Sequence, residues 1–554
     1  MSENCRKRII ARVAHSRDCA SLLLSFGANP NKANSQGVSP ICVASAEGSE
    51  DLVILLANAG AVVNIRDDVG ATPLHRAIDQ GRIRLIRKLI EKNVDLDMKD
   101  GLGNPPLCFA LRRSKTSLIH ELIIKAGADV NLRDSHKDTP LSIAVRKGLT
   151  ETVELLLQNG ADPGLRDGKG EFPLCIAVAK GSTKIAELLL VGGAKAAVKN
   201  LHREWLLSVA VDTGNLDLCQ CLLEHNADPN IRSRDGDPPL SVAVASGNIH
   251  LANLLLQFHA DPNVQDKDKV PPLVKATENQ EVEMMQLLLH AGASPNEFTD
   301  KSGKALLHKA AQTGKLRSIK LLIEHGAKID ERDNRGATPL MEAVLQNKPD
   351  VLNFLISAGA KVNIALSTGM TPLFVAMSRN RTEMARKILS TGKADVNRQE
   401  EHGRTVLHLA CSQGDYNMVN HLLDRGGNCF IQDRDNHTPL HKACLEGHDS
   451  VVNLLLKHNK SLLNARTAKA ATPLHLAVQK NHFDIVKSLL DAQADIQVRN
   501  WRGNTPLHVA CENGSRAIVN VLLQHGARQD IRNVQGKTPF DLATDVKIKV
   551  QMSG

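Results

Sequence analysis

The chain has 554 residues, 42% of them hydrophobic but only 2% aromatic, and a formal net charge of +9. So few aromatics argue against the base-stacking surfaces that bind single-stranded nucleic acid, and the mild charge excess favours solubility unless it is clustered on one face. No apolar run approaches the roughly 20 residues of a membrane span, and Met1 to Ile10 hold no stretch long enough for a signal peptide.

The first recognisable element is Leu22-Leu23-Leu24 followed by Gly27-Ala28-Asn29-Pro30-Asn31. It reads as the second helix and closing turn of a leading partial unit, with Arg6 to Ala14 as its first helix. That stretch carries Arg6, Lys7 and Arg8 in place of a capping phrase, which fits either an end cap facing water or a truncated first unit. From Ser39-Pro40-Ile41 onward one short phrase returns every 33 or 34 residues: Thr72-Pro73-Leu74-His75, Thr139-Pro140-Leu141, Thr338-Pro339-Leu340, Thr371-Pro372-Leu373, then Thr438, Thr472 and Thr505. A fixed period of this length marks a solenoid, in which each unit buries its apolar faces only against its neighbours.

One unit, Asp67 to Lys99, shows the local logic. Asp68-Val69-Gly70 makes a turn, with Gly supplying a backbone angle that other residues avoid. Thr72 caps a helix with its hydroxyl, and Pro73 takes the first helical position, where a missing N–H costs nothing. Leu74, Ala77 and Ile78 form a short apolar stripe that stops near Gly81. Leu85, Ile86, Leu89 and Ile90 form a second stripe at helical spacing, closed at Asn93, where other repeats have Gly.

About sixteen such units are expected from residue 34 onward, all in one stack. The expected divisions are a partial cap over 1–33, regular units over 34–166, degenerate units over 167–298, regular units over 299–532 and a truncated cap with a tail over 533–554. In the degenerate segment the phrase erodes to Trp205-Leu206-Leu207-Ser208, Pro238-Pro239-Leu240-Ser241 and Pro271-Pro272-Leu273-Val274. One reading is drift that neighbouring repeats tolerate; the other is a more flexible segment with weaker interfaces between two stiffer arms. Thr538-Pro539-Phe540-Asp541 begins a last unit that stops within its first helix.

The Thr-Pro-Leu-His phrases, closings such as Gly127-Ala128-Asp129-Val130-Asn131 and Gly160-Ala161-Asp162, and Leu-Leu-Leu runs at 155–157, 188–190, 254–256, 287–289 and 454–456 resemble the ankyrin repeat family over nearly the whole chain. The resemblance implies an all-α fold, a curved and elongated solenoid of helix-turn-helix units joined by hairpin turns. It implies that His75, His308, His408, His441, His475 and His508 are structural, bonding Thr within the phrase and backbone of the next unit. It also implies partner binding on the concave face, built from hairpin tips and the ends of inner helices.

On that face Arg112-Arg113, Arg146-Lys147 and Lys180 hold equivalent positions in successive units, and the hairpin residues Lys137 and Lys169 extend them into a basic stripe. Arg there suits an acidic peptide; a solvated charged face is the alternative. Trp501 at a hairpin tip, with Leu445 and Leu345 at inner-helix positions that are polar elsewhere, forms a second candidate. An exposed Trp is a typical interface anchor, though it could lie flat on an adjacent hairpin. Asn230 and Asn263, in closing loops, match the spacing of asparagines that hydroxylases modify in ankyrin-like proteins.

Catalytic and cofactor chemistry are not expected. Gly536-Lys537-Thr538 lacks the Gly five residues earlier that a phosphate loop needs, and Cys219-Gln220-Cys221 lacks zinc spacing. Cys42, Cys108 and Cys175 replace the phrase His, while Cys411, Cys444 and Cys511 replace aliphatic residues. They read as buried reduced thiols, implying the cytosol, with the nucleus as alternative. The leading functional expectation is a monomeric, non-enzymatic scaffold or adaptor that binds proteins. The alternatives are the ankyrin part of a larger protein, such as a channel's cytoplasmic region or a ubiquitin-ligase substrate receptor, and a binder of nucleic acid or acidic lipid.

Overall fold

The computed structural model describes residues 16–553 except 121 and 123–125. Among the described residues there are 33 α-helices, one short 310 helix and no strand, so the fold is an all-α repeat solenoid. The expected first helix of the leading unit, Arg6 to Ala14, lies outside the described residues. Its partner forms helix Arg17–Ser25.

Each repeat is a pair of short helices. Thr72 is extended at φ −86° and caps helix Pro73–Gln80, accepting the His75 amide through its hydroxyl at 3.3 Å. The helix ends at Gly81 in the left-handed region, φ +69°. Helix Ile83–Glu91 follows and closes at Asn93, φ +55°, a conformation asparagine tolerates better than most residues. Leu74, Ala77, Ile78, Leu85, Ile86 and Leu89 are all fully buried. A fully buried Leu or Ile contributes about 2 kcal/mol on transfer scales, so a unit stripped of its neighbours would lose most of its stabilisation.

The chain divides into two compact units. The first comprises residues 1–276 and 290–293. Within it the first helices of successive repeats, from Pro40–Glu47 through Pro239–Ala245, pack in one row, and second helices such as Thr150–Gln158, Thr183–Val191 and Leu216–Glu224 pack in another. The second comprises 277–289 and 294–554, with the same two rows from Leu306–Thr313 to Pro539–Leu542 and from Leu316–Glu324 to Arg516–Gln524. Hairpin turns in each approach so closely that some sites exclude a Cβ. Gly70 has φ +79°, and a side chain there would strike the Gly101 backbone.

The eroded phrases have a structural consequence. In the intact box Thr139 accepts the Ser142 amide at 3.2 Å, and the Ser142 hydroxyl accepts the Thr139 amide at 3.0 Å. Phe172, Trp205 and Pro238 stand at the same cap position with no side-chain cap bond. Ser208 and Ser241, equivalent to Ser142, are left with buried hydroxyls that have no partner among the described residues.

The C-terminal end departs from the expectation that the last unit stops within its first helix. Residues past Leu542 form a further helix, Val546–Ser553. Its Ile548 and Met552, four apart, are buried, and the Met552 sulfur lies 3.5 Å from Cys511 Sγ.

Candidate functional site

The hairpins that carry the concave-face candidates are built on a recurring carboxylate. Asp67 is nearly buried and accepts the amides of Val69 at 3.1 Å and Ala71 at 2.8 Å. Asp100, Asp134, Asp167, Asp266, Asp333 and Asp433 do the same in their own turns. Sequence reasoning passed over this set, although an Asp three residues before a turn Gly, as at 67, 100, 167 and 333, recurs with the repeat period.

These aspartates change the electrostatics of the basic stripe. Arg112 donates to Asp134 at 2.7 Å and to Asp138 at 3.0 Å. Arg146 donates to Asp138 at 2.9 Å and pairs with the buried Asp167. Burial works against ionising Asp138, but hydrogen bonds from Arg146 and Gly168 and the charges of both arginines hold its carboxyl below the usual range. The result is a ladder, Asp134–Arg112–Asp138–Arg146–Asp167, running across repeats. The sequence shows no opposite charge at the stripe's own helix positions, and the structure supplies it from the hairpins. The two inner arginines are therefore neutralised structural groups. Arg113 sits 3.3 Å from Asp79, and Lys147 donates to the Arg112 carbonyl at 2.6 Å and the Ser114 hydroxyl at 2.8 Å. Lys180, Lys137 and Lys169 are exposed.

The second candidate comes together more tightly. Trp501 is 59% exposed at the tip of the turn preceding helix Pro506–Glu512, its amide held by the Lys469 carbonyl at 3.1 Å and Arg502 5.0 Å from its ring centre. It forms one wall of a groove of about 560 Å³. Leu445, half-buried at the end of its helix, lines the same groove with Leu476 and Val509, while Asp435, Lys469 and Glu512 supply polar edges of both signs. Two residues singled out separately in the sequence thus face one cavity. Leu345 is half-buried at the end of helix Pro339–Leu345 and does not line it.

The phrase histidines are structural, as the resemblance implies. His475 Nδ1 accepts the Thr472 amide at 3.2 Å, so the proton resides on Nε2, which donates to the Asn504 carbonyl of the next repeat at 3.0 Å. His75, His308, His408 and His508 reach across in the same way. His441 holds the same position, in a repeat that closes with the extra 310 turn Lys460–Asn464. Burial pushes His408 and His475 down to about 4. Cys42, Cys108 and Cys175 keep the inter-repeat contact, with each thiol pointing to a carbonyl at 3.9, 3.5 and 3.8 Å. Burial pushes Cys42 and Cys175 up to about 11, so these thiols are poor nucleophiles.

Among the described residues, two groups have metal-capable side chains near one another: Glu400, Glu401 and His402, and Asp433, Asp435 and His437. Glu400 and Asp433 are already turn anchors. Glu400 accepts from the His402 and Arg404 amides and from the Arg404 side chain, and Asp433 from the Asp435 and His437 amides and from Lys442. Asn230 and Asn263 bridge closing loops: Asn230 donates to the His259 carbonyl at 3.3 Å and accepts the Asp261 amide at 2.8 Å, and Asn263 donates to Gly292 at 3.3 Å. No helix among the described residues is long and apolar enough to cross a membrane.

A family model for ankyrin repeats in three copies matches residues 9–100, 107–201, 143–233, 207–299, 273–365, 340–433 and 420–500, and one for many copies matches 491–543. Rabankyrin-5 of Homo sapiens is 31% identical over 108 residues, which is 19% of this chain and 8% of that protein. Protein phosphatase 1 regulatory subunit 27, in Homo sapiens and in Mus musculus, is 47% identical over 49 residues, 9% of this chain and 32% of each relative. The chain thus spans less than a third of the length of each of these relatives. With repeat after repeat matched along nearly its whole length, the chain belongs to the ankyrin repeat family.

Proposed function

We propose that this chain is a non-catalytic adaptor that holds a partner protein in the groove at Trp501. The observation that carries this reading is the convergence of an exposed indole and Leu445 on one cavity of about 560 Å³. Nothing in the stack requires a Trp at that tip, and an aromatic wall over an apolar floor suits an inserted side chain. The edges carry Asp435, Glu512, Lys469 and Arg502, so this groove selects for an apolar anchor rather than for net charge. That one relative is named a regulatory subunit is a statement about that protein; it supports an adaptor role here.

The stripe is a second surface for an acidic peptide. Its exposed members Arg113, Lys147, Lys180, Lys137 and Lys169 support that reading, and the pairing of Arg112 and Arg146 ranks it below the groove. The buried free thiols support a reducing compartment, the cytosol or nucleus. As the ankyrin part of a larger protein, the chain would play the same role of presenting a bound partner.

Selection of a random peptide library on the whole chain tests the reading. Selected peptides should share an apolar anchor and lose about tenfold or more in affinity on Trp501→Ala, with helicity unchanged. Peptides insensitive to Trp501→Ala and Leu445→Glu, yet weakened by Arg113→Glu with Lys147→Glu, would overturn it in favour of the stripe.

A further inference from the structure

In repeat after repeat, one side-chain amide ties a closing loop to the next. Asn131 donates to the Gly160 carbonyl at 3.0 Å and accepts the Asp162 amide at 2.8 Å. Asn31 makes the same pair with Gly60 and Val62, Asn230 with His259 and Asp261, and Asn397 with Gly426 and Asn428. The acceptor lies 29 residues beyond the asparagine and the donor 31.

One period after Asn131 stands Gly164, which has no side chain to make the bridge. Counting on by the same offsets gives the Gly193 carbonyl and the Lys195 amide. Neither has a hydrogen-bond partner among the described residues. The backbone of 164 does not require glycine, because its φ lies outside the left-handed region and the Asp162 side chain is the near neighbour a Cβ would meet. A cavity of about 290 Å³ opens at this place, walled by Pro163, Phe172, Leu174 and Val198. Phe172 belongs to this repeat alone among the cap positions, most of which carry Thr, and Arg166 holds its ring at 4.1 Å.

We propose that this cavity is a binding site for a primary carboxamide on a short apolar stem, namely a glutamine or asparagine side chain of a partner protein. The stem rests on Phe172, Leu174 and Val198. The amide nitrogen donates to Gly193 and the amide oxygen accepts from Lys195, as the chain's own asparagines do elsewhere. A carboxylate would set a lone pair against the Gly193 carbonyl, and an ammonium would leave the Lys195 amide unmet. The site belongs to the first unit and gives a partner a chemically specific contact independent of the Trp501 groove.

The probe is N-acetyl-glutamine methylamide, titrated into the whole chain labelled with 15N-lysine and read at the Lys195 amide. A saturable shift in the millimolar range is expected. The glutamate and norleucine analogues should bind about tenfold more weakly, the value of one unmade polar pair. Gly164→Asn should abolish the shift, because its own carboxamide closes the bridge. Phe172→Thr, which restores the common cap residue and removes the wall, should weaken binding while the Lys195 signal keeps its free position. No saturable shift with the glutamine probe, equal binding of the glutamate analogue, or a response unchanged by both Gly164→Asn and Phe172→Thr would overturn the proposal.

Discussion

The Arg146 guanidinium sits 2.9 Å from the Asp138 carboxylate and reaches the buried Asp167 of the following hairpin with its other nitrogen. It therefore acts as a cross-repeat strut, and its worth is set by what its loss leaves behind. Asp167 would keep the amides of Lys169 and Glu171 but lose the one counter-ion it has among the described residues. Arg146→Ala should cost about 1–2 kcal/mol, the range for hydrogen bonds to charged groups reduced for partial exposure. Amide exchange over 134–171 should rise accordingly. Lys180→Glu, on the exposed rim of the same stripe, should stay within about 0.5 kcal/mol. Equal effects would mean that the ladder contributes nothing beyond solvation.

The same distinction governs binding to the stripe. Arg113→Glu with Lys147→Glu leaves the ladder of Arg112, Arg146 and their aspartates intact and reverses only exposed charge. Association of an acidic peptide should slow and lose its salt dependence, with dissociation little changed. Stopped-flow rates at two salt concentrations provide the check. Rates identical to those of the native chain would reduce the stripe to a solvated face.

Serines at one repeat position should respond in opposite ways. Ser142 sits in a complete box with Thr139, so Ser142→Ala should destabilise by about 1 kcal/mol. Ser241 has the same position beneath Pro238, which has no N–H to offer, and its hydroxyl is buried without a partner among the described residues. Ser241→Ala should be neutral or stabilising, and Pro238→Thr should stabilise by about 1 kcal/mol by completing the box. Urea midpoints followed by helicity would decide; a loss in Ser241→Ala equal to that in Ser142→Ala would contradict the account.

Period, helix pairs, caps and closings were legible because each is local: Thr72, Pro73 and Gly81 act within a turn or two of their own position. The histidine bridges were legible only through the family resemblance, since their acceptors lie 29 residues away. The ladder escaped because Arg112 meets carboxylates 22 and 26 residues on, a pairing set by hairpin packing. The C-terminal helix escaped for another reason. Val546, Ile548 and Val550 alternate with lysine and glutamine, a period-two pattern, and the helix is held by Ile548 and Met552 against the last repeat. Trp501 and Leu445 were each conspicuous by type, but 56 residues of separation hid that they share a groove.

Acid should loosen the second unit in two separable stages. Burial holds His408 and His475 down to about 4 and His441 to about 3, whereas an unfolded His titrates at about 6.5. Between those values the unfolded chain binds more protons, so stability is full above about pH 6.5 and falls as pH drops toward 4. Glu400 and Asp433 are opposed by burial, but the Arg404 and Lys442 hydrogen bonds bring each to about 2. Their stabilisation persists above the ordinary carboxylate range and fades only as pH falls through it. A melting series from pH 7.5 to 5 therefore isolates the histidines. His408→Cys with His475→Cys, the residue this chain uses at 42, 108 and 175, should flatten that slope. An unchanged slope would show that other groups carry it.

The closing-loop asparagines lead to a prediction about modification. Asn230 is exposed, yet its carboxamide is held at both ends, donating to His259 and accepting from Asp261. Asn263 is held by Gly292, and its own amide donates to Asp261 Oδ1 at 2.9 Å. A hydroxylase acting on either side chain must take it out of these bonds, so reaction has to proceed through local opening of the loop. With an asparagine hydroxylase present, both peptides should gain one oxygen, at a rate that rises in step with exchange of the Asp261 amide. Ser241→Ala, which leaves the neighbouring repeat intact, should not accelerate it, whereas Asp228→Ala, which removes the carboxylate that accepts the Asn230 amide at 2.9 Å, should. Native peptide masses at both sites, under conditions where the unfolded segment is modified, would show that the bridge keeps the asparagines closed to the enzyme.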